Sequence, residues 1–166
     1  MKKVLSYILV AMLAFSCTVA LAESDAPTNA AFEGSWVQFE DGFEIYLPSD
    51  WLVVDPTDEM LQSGVFYAVT SPDGARSLQV AWSEEAGAED ANAVKAQLEA
   101  AYTDVQILNI NGIDFVTYED VQNDSTGIVA LGANGDLFVF NFYPASDETF
   151  GPIALTIATS IRNTAE

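Results

Sequence analysis

The chain has 166 residues, of which 25 are acidic and 5 basic, with no histidine and a single cysteine, for a formal net charge of −20. A surface this acidic repels nucleic-acid phosphates, whose binding depends on Lys and Arg, so nucleic-acid binding is excluded. With no imidazole, and Cys17 as the only thiol, His-based triads, thiol nucleophiles and the usual zinc sites fall away as well.

Taken in chain order, Lys2 and Lys3 precede an apolar run from Val4 to Phe15, and Ala20 and Ala22 stand at the minus-three and minus-one positions before Glu23. This is the pattern of a secretory signal peptide, residues 1–22, cleaved between Ala22 and Glu23. Two other readings exist. An uncleaved anchor is weakened by Ser6, Ser16 and Thr18 and by the lack of a basic cluster after the run. A lipid on Cys17, behind Ala14-Phe15-Ser16, matches a lipobox-like signal except at Phe15. The expectation is a protein that is secreted or held in the cell envelope, without membrane insertion after processing; the alternative is a lipoprotein anchored at Cys17.

Cleavage leaves 166 minus 22, or 144 residues, enough for one ordinary domain. Arg76, Lys95 and Arg162 are then the only cations, and the charge becomes 3 minus 25, or −22. Such a surface attracts cationic partners or divalent ions, or simply keeps a secreted protein soluble, and the solubility reading is preferred.

Residues 23–33 are small, polar and acidic and predict a flexible spacer, followed by a single domain over residues 34–163. Ser35 to Phe39 and Phe43 to Leu47 flank Glu40-Asp41-Gly42 as a hairpin, with Phe43, Ile45 and Leu47 on one face. Val65 to Ser71 and Ser77 to Ser83 flank Pro72-Asp73-Gly74, where proline presets a turn and glycine accepts positive φ. Across residues 88–102 the period becomes helical, with Ala91, Val94, Leu98 and Ala101 on one stripe.

Four more strands follow, at Val105 to Ile110, Ile113 to Val121, Gly127 to Leu131 and Asp136 to Tyr143, separated by Asn111-Gly112, by residues 123–126 and by Asn134-Gly135. Phe150, Ile153, Ala154, Ile157 and Ile161 then predict a closing helix, with Pro152 in its first turn. Phe138, Phe140 and Phe142 lie on one face of their strand and Leu137 and Val139 on the other, so the sheet needs cover on both sides. Two helices and the segment from Trp51 to Gly64 are the expected covers. The fold class is α+β: a mainly antiparallel sheet flanked by two helices, an α/β/α sandwich.

This order of elements, with GFEIYLPSDW near the start and IALTIATSIR at the end, resembles the PsbP-like α/β sandwich family, which includes DcrB-type periplasmic proteins and often shows a strand ending in Pro-x-x-Trp. The resemblance covers residues 33–163 and implies a fold used to bind proteins, lipids or metal-containing assemblies, with no common activity and no site residue to carry over. It also implies that Trp51, after Pro48, turns inward as a core plug. Trp36 and Trp82 lie in strand patterns and are read as core as well.

No catalytic, cofactor-binding or metal residue is assigned, and no cofactor is expected. A carboxylate pair for glycoside chemistry has no specificity among 25 acids. Glu119, Asp120, Asn123 and Asp124 offer oxygen ligands beside a hairpin turn, but their spacing is not that of an EF-hand. Glu119 and Asp120 are adjacent in a strand and point to opposite faces unless a bulge intervenes, so a solvated hairpin end is favoured. The functional expectation is a non-catalytic binding domain for an unidentified protein or small ligand of cationic leaning. The alternative is a calcium-dependent or carbohydrate-active exoprotein that uses surface carboxylates.

Overall fold

The computed structural model describes residues 26–40, 42–84, 87–132 and 135–164. The expected cleavage residues Ala20, Ala22 and Glu23, the alternative anchor Cys17 and the turn residues Asp41 and Asn134 lie outside the described residues.

The fold is α+β and mostly antiparallel. The first hairpin, β1 (Gly34–Phe39) and β2 (Phe43–Pro48), is joined by β10 (Arg162–Asn163) in a three-stranded sheet of order β1-β2-β10. A seven-stranded sheet holds β3 (Leu52–Val53), β4 (Val65–Thr70), β5 (Ser77–Ser83), β6 (Thr103–Ile110), β7 (Ile113–Asp120), β8 (Ser125–Leu131) and β9 (Leu137–Tyr143), in the order β3-β4-β5-β9-β8-β7-β6. Three short helices are described: α1 (Asp58–Gln62), α2 (Ala91–Leu98) and α3 (Gly151–Ser160).

The turns follow from the residues that make them. Asn111 and Gly112 adopt φ of 55° and 82°, the paired positive values that a two-residue hairpin requires. In the β4–β5 turn Gly74 takes φ 70°, and Asp73 Oδ1 accepts from the Ser71 hydroxyl and the Ala75 N–H. Asp90 caps α2 by accepting from the Ala93 N–H at 2.8 Å. This helix is shorter than the 88–102 pattern suggests: Val94 is buried, while Ala101 is exposed beyond the helix end, just before β6.

Strand alternation sorts the large sheet into two faces. Phe115, Ile128, Phe140 and Phe142 enter one cluster, and Val116, Tyr118, Val129 and Val139 enter another. The first face is covered by the small sheet, through Val37, Phe39, Phe43, Ile45 and Leu47, and by α3, through Ile157 and Ala158. On the second face Val94 of α2 packs with Val105, Val116, Tyr118 and Val129. The expected covers are thus only partly those found, since half of the work on the first face falls to a second sheet.

The segment after Trp51 does not act as a cover. Leu52, Val53 and Val54 are 56%, 67% and 39% exposed, and α1 buries no residue. Two-residue strands and a one-turn helix carry no apolar period, which is why they are absent from the sequence pattern.

Cross-strand contacts lock the second face. Gly127 stands opposite Tyr118, and a Cβ at Gly127 would overlap the phenol ring, so glycine is required for the ring to lie across the strand. The Tyr118 hydroxyl donates to Asn141 Oδ1 at 2.8 Å, and its ring stacks on Tyr102 with centroids 4.2 Å apart. Burial pushes the Tyr118 phenol well above its ordinary pKa. Gly127→Ala is expected to cost about 1–3 kcal/mol by overpacking, read as a lower urea midpoint. Combined with Tyr118→Ala, which removes the obstructing ring, the cost falls below the sum of the two single changes; simple additivity would defeat the contact account.

Candidate functional site

The terminal helix builds a groove on the first face. Its inner stripe, Ile153, Ile157 and Ile161 after Phe150, packs into the core. The adjoining stripe carries Gly151, Ala154 and Ala158, at helical spacing, opposite Ile128 of β8 and Phe142 of β9. Those small side chains leave a space of about 240 Å³ between helix and sheet. A Cβ added at Gly151 meets nothing within 4 Å, and Leu155 stands 64% exposed at the lip. Pro144, Ala145, Asp147 and Thr126 close one end.

A polar collar fixes that end. Arg76, on the turn before β5, donates from Nε to Asp147 Oδ2 at 2.8 Å and from a terminal nitrogen to the Thr149 hydroxyl at 2.5 Å. Its guanidinium also lies 5.8 Å from the centroid of Phe150, on the edge of the groove. Asp147 Oδ1 accepts from the Thr149 N–H and hydroxyl, and Asp124 accepts from the Ser146 N–H and hydroxyl. The loop ahead of α3 is therefore tied at both ends, and the groove stands between preset walls.

The tryptophans are separated in the fold. Trp36 is buried on β1, with the Arg162 guanidinium 3.7 Å from its ring centroid. Trp51 is half-buried against the first cluster, its ring 6.0 Å from Phe150. Trp82 is half-buried on β5, opposite Phe138. Trp51 thus packs beside Phe150, which lines the groove, whereas no tryptophan lines it.

Glu119, Asp120 and Asn123 line a separate recess of about 320 Å³ with Tyr102 and Thr103. The β7–β8 register runs without a shift through Glu119 and Asp120, and the irregularity in the β6–β7 pairing places its extra residue on β6, between Thr103 and Gln106, so β7 keeps its alternation and the two carboxylates are not turned to one side. Asp120 accepts from the backbone N–H groups of Gln122 and Asn123 and from the Asn123 amide, and these bonds hold its carboxyl below the usual value. Asp124, at φ 51°, faces Ser146 instead. Among the described residues no three His, Cys, Asp or Glu side chains gather closely enough to hold a metal ion, and no helix is long and apolar enough to cross a membrane.

The sequence pattern did not single out the groove. Ala154 belonged to the predicted core stripe, and Arg76 and Asp147 appeared only as members of the charge count. One available signal was the run of small residues on the flank of an otherwise aliphatic helix.

No family model matches the chain, and no curated protein does. The chain is similar to a crystal structure from Bacteroides thetaiotaomicron VPI-5482, with 14% identity and a TM-score of 0.49, over 75% of this chain and 46% of that one. It therefore spans less than half the length of that protein.

The collar has a pH signature. Hydrogen bonds from Thr149 and the Arg76 guanidinium hold the Asp147 carboxyl down at about 2, from an ordinary 3.8. A carboxyl depressed in the folded state adds stability that is present above the ordinary value and is lost as pH falls toward the folded one. The melting temperature of Asp147→Asn should therefore lie below that of the parent at neutral pH and converge with it between pH 4 and pH 2; a gap that persists at the acid end would refute the assignment.

Proposed function

We propose that this chain is a secreted or cell-envelope binding domain without catalysis, and that it holds its ligand in the groove between α3 and strands β8 and β9. The observation that carries the reading is the groove itself: an apolar space walled by Ile128, Phe142 and Phe150, left open by the small side chains of Gly151, Ala154 and Ala158. A protein with no histidine and a single cysteine has few means of bond making, but such a space needs none to bind.

Size limits the ligand. Pockets for whole drug-sized molecules run to roughly 300–1,000 Å³, so the groove, at about 240 Å³, suits one bulky apolar side chain or a short acyl segment of a larger partner. The acidic exterior favours partners that carry positive charge around that apolar part. The proposal includes kinship with the PsbP-like sandwiches, supported by the order of elements, by α2 on one face of the large sheet and by α3 on the other.

Nile red, a neutral dye that brightens in apolar surroundings, provides the test. It should bind saturably, and Ala154→Met or Gly151→Met, which fill the groove from the helix side, should weaken binding by about tenfold or more while the melting temperature holds or rises. Dye binding that is indifferent to both substitutions would place the ligand elsewhere. A calcium-dependent rise in melting temperature at matched ionic strength, abolished by Asp120→Asn with Asp124→Asn, would favour the carboxylate-based alternative.

A further inference from the structure

A second surface stands apart from the groove. Among the described residues seven large apolar side chains are exposed, and four of them, Leu52, Val53, Val54 and Leu61, fall within ten residues of one another. Leu52 and Val53 form β3, which is an edge strand of the seven-stranded sheet. An exposed apolar edge is a liability that soluble proteins cover or blunt, with short strands and with charged side chains, lysine above all; β3 is short, at two residues, but its charges are of the other sign. Here the neighbouring charges are Asp50, Asp55, Asp58 and Glu59, all exposed, and no lysine or arginine lies between Lys3 and Arg76.

The backbone is oriented for pairing. Leu52 stands opposite Thr70 and Val53 opposite Val69, and the Val54 N–H donates to the Ala68 carbonyl at 2.9 Å. In an antiparallel ladder bonded and non-bonded pairs alternate, so Leu52 and Val54 face β4 while the N–H and C=O of Val53 point away from it. The edge offers one open donor and acceptor between apolar side chains that alternate across the two faces.

We propose that β3 is the docking site for an extended segment of another protein in which apolar side chains alternate with lysine or arginine. Charge decides the occupant. Two copies of this chain meeting edge to edge would bring eight carboxylates together, from four on each, which opposes self-pairing. A basic strand meets the same carboxylates with opposite sign, while its apolar residues cover Leu52 and Val54. Such strand addition takes orientation from main-chain hydrogen bonds and selectivity from alternate side chains.

The test titrates the purified protein into a fluorescent peptide that alternates lysine with leucine, read by anisotropy. Binding should weaken about tenfold with Leu52→Ser and Val54→Ser together, and by a similar factor with Val53→Pro, which removes the outward N–H without taking a donor from the β4 ladder. Leu108→Ser, on β6 at the opposite edge of the sheet, should leave it unchanged, whereas a loss with Ala154→Met that the β3 variants do not share would assign the peptide to the groove and overturn the proposal. A peptide of equal charge with serine in place of leucine should bind far more weakly. Equal binding of the serine peptide, insensitivity to both edge variants, or concentration-dependent self-association that the same variants abolish would each overturn the proposal.

Discussion

The seven-stranded sheet is apolar on both faces, and the other elements answer to that constraint. Along β8, Ile128 and Ala130 join one cluster while Val129 and Leu131 join the other, and β9 does the same with Phe140 and Val139. Each apolar face left wet would forfeit roughly 25 cal/mol for every Å² not buried. One face is met by a helix delivered between β5 and β6, and the other by material from both ends of the described domain. The hairpin β1–β2 comes from one end and α3 with β10 from the other. They are fastened by β2–β10 pairing, by the Tyr46 N–H donating to the Ser160 hydroxyl at 2.8 Å, and by the Thr164 N–H donating to the Gly42 carbonyl at 2.8 Å. The cover of the first face is thus completed by contacts between the two ends.

Where that closure is incomplete, the groove appears. The inner stripe of α3 is aliphatic and deep, with Ile157 fully buried, whereas the flank toward β8 and β9 is glycine and alanine. Small residues would let a helix approach the sheet and seal the space, but Ile157 and Ile161 already set the helix on the core. The gap therefore persists as a property of the packing, and the Arg76–Asp147–Thr149 collar fixes the loop that forms its end.

Charge is distributed by the same logic. The three cations of the described domain are each engaged in an ion pair, two of them across long separations in sequence: Arg76 with Asp147, Arg162 with Glu44, and Lys95 with Glu99. The exposed Lys95–Glu99 pair contributes only about 0–1 kcal/mol, the other two are part-buried with Glu44 only 8% exposed, and all three matter by where they stand. Arg162 joins β10 to β2 while its guanidinium covers Trp36, and Lys95 also donates to the Val105 carbonyl, joining α2 to β6. With the cations committed to these joints, the remaining acids give the exterior a field of one sign.

How much of this was legible in sequence depends on whether a feature repeats. Hairpins were visible because Asn111-Gly112 and Pro72-Asp73-Gly74 carry turn chemistry that the flanking alternation confirms, and α3 was visible because its isoleucines recur at helical steps. Strand β3, helix α1 and strand β10 hold two, five and two residues, too few to show a period, and they owe their form to the strands beside them. The second sheet was hidden for a different reason. Phe43, Ile45 and Leu47 announce a buried face without stating what they face, and the small sheet is separate because β2 pairs with β1 and with the returning Arg162 and Asn163 rather than with a strand of the large sheet. The groove is the extreme case: alanine fits a tight helix–sheet contact or an open one equally well, so Ala154 and Ala158 acquire their meaning only from Ile128 and Phe142, which are brought opposite them by strands formed earlier in the chain. A site made by omission of side-chain volume leaves almost no mark on a sequence, whereas a site made of reactive groups does.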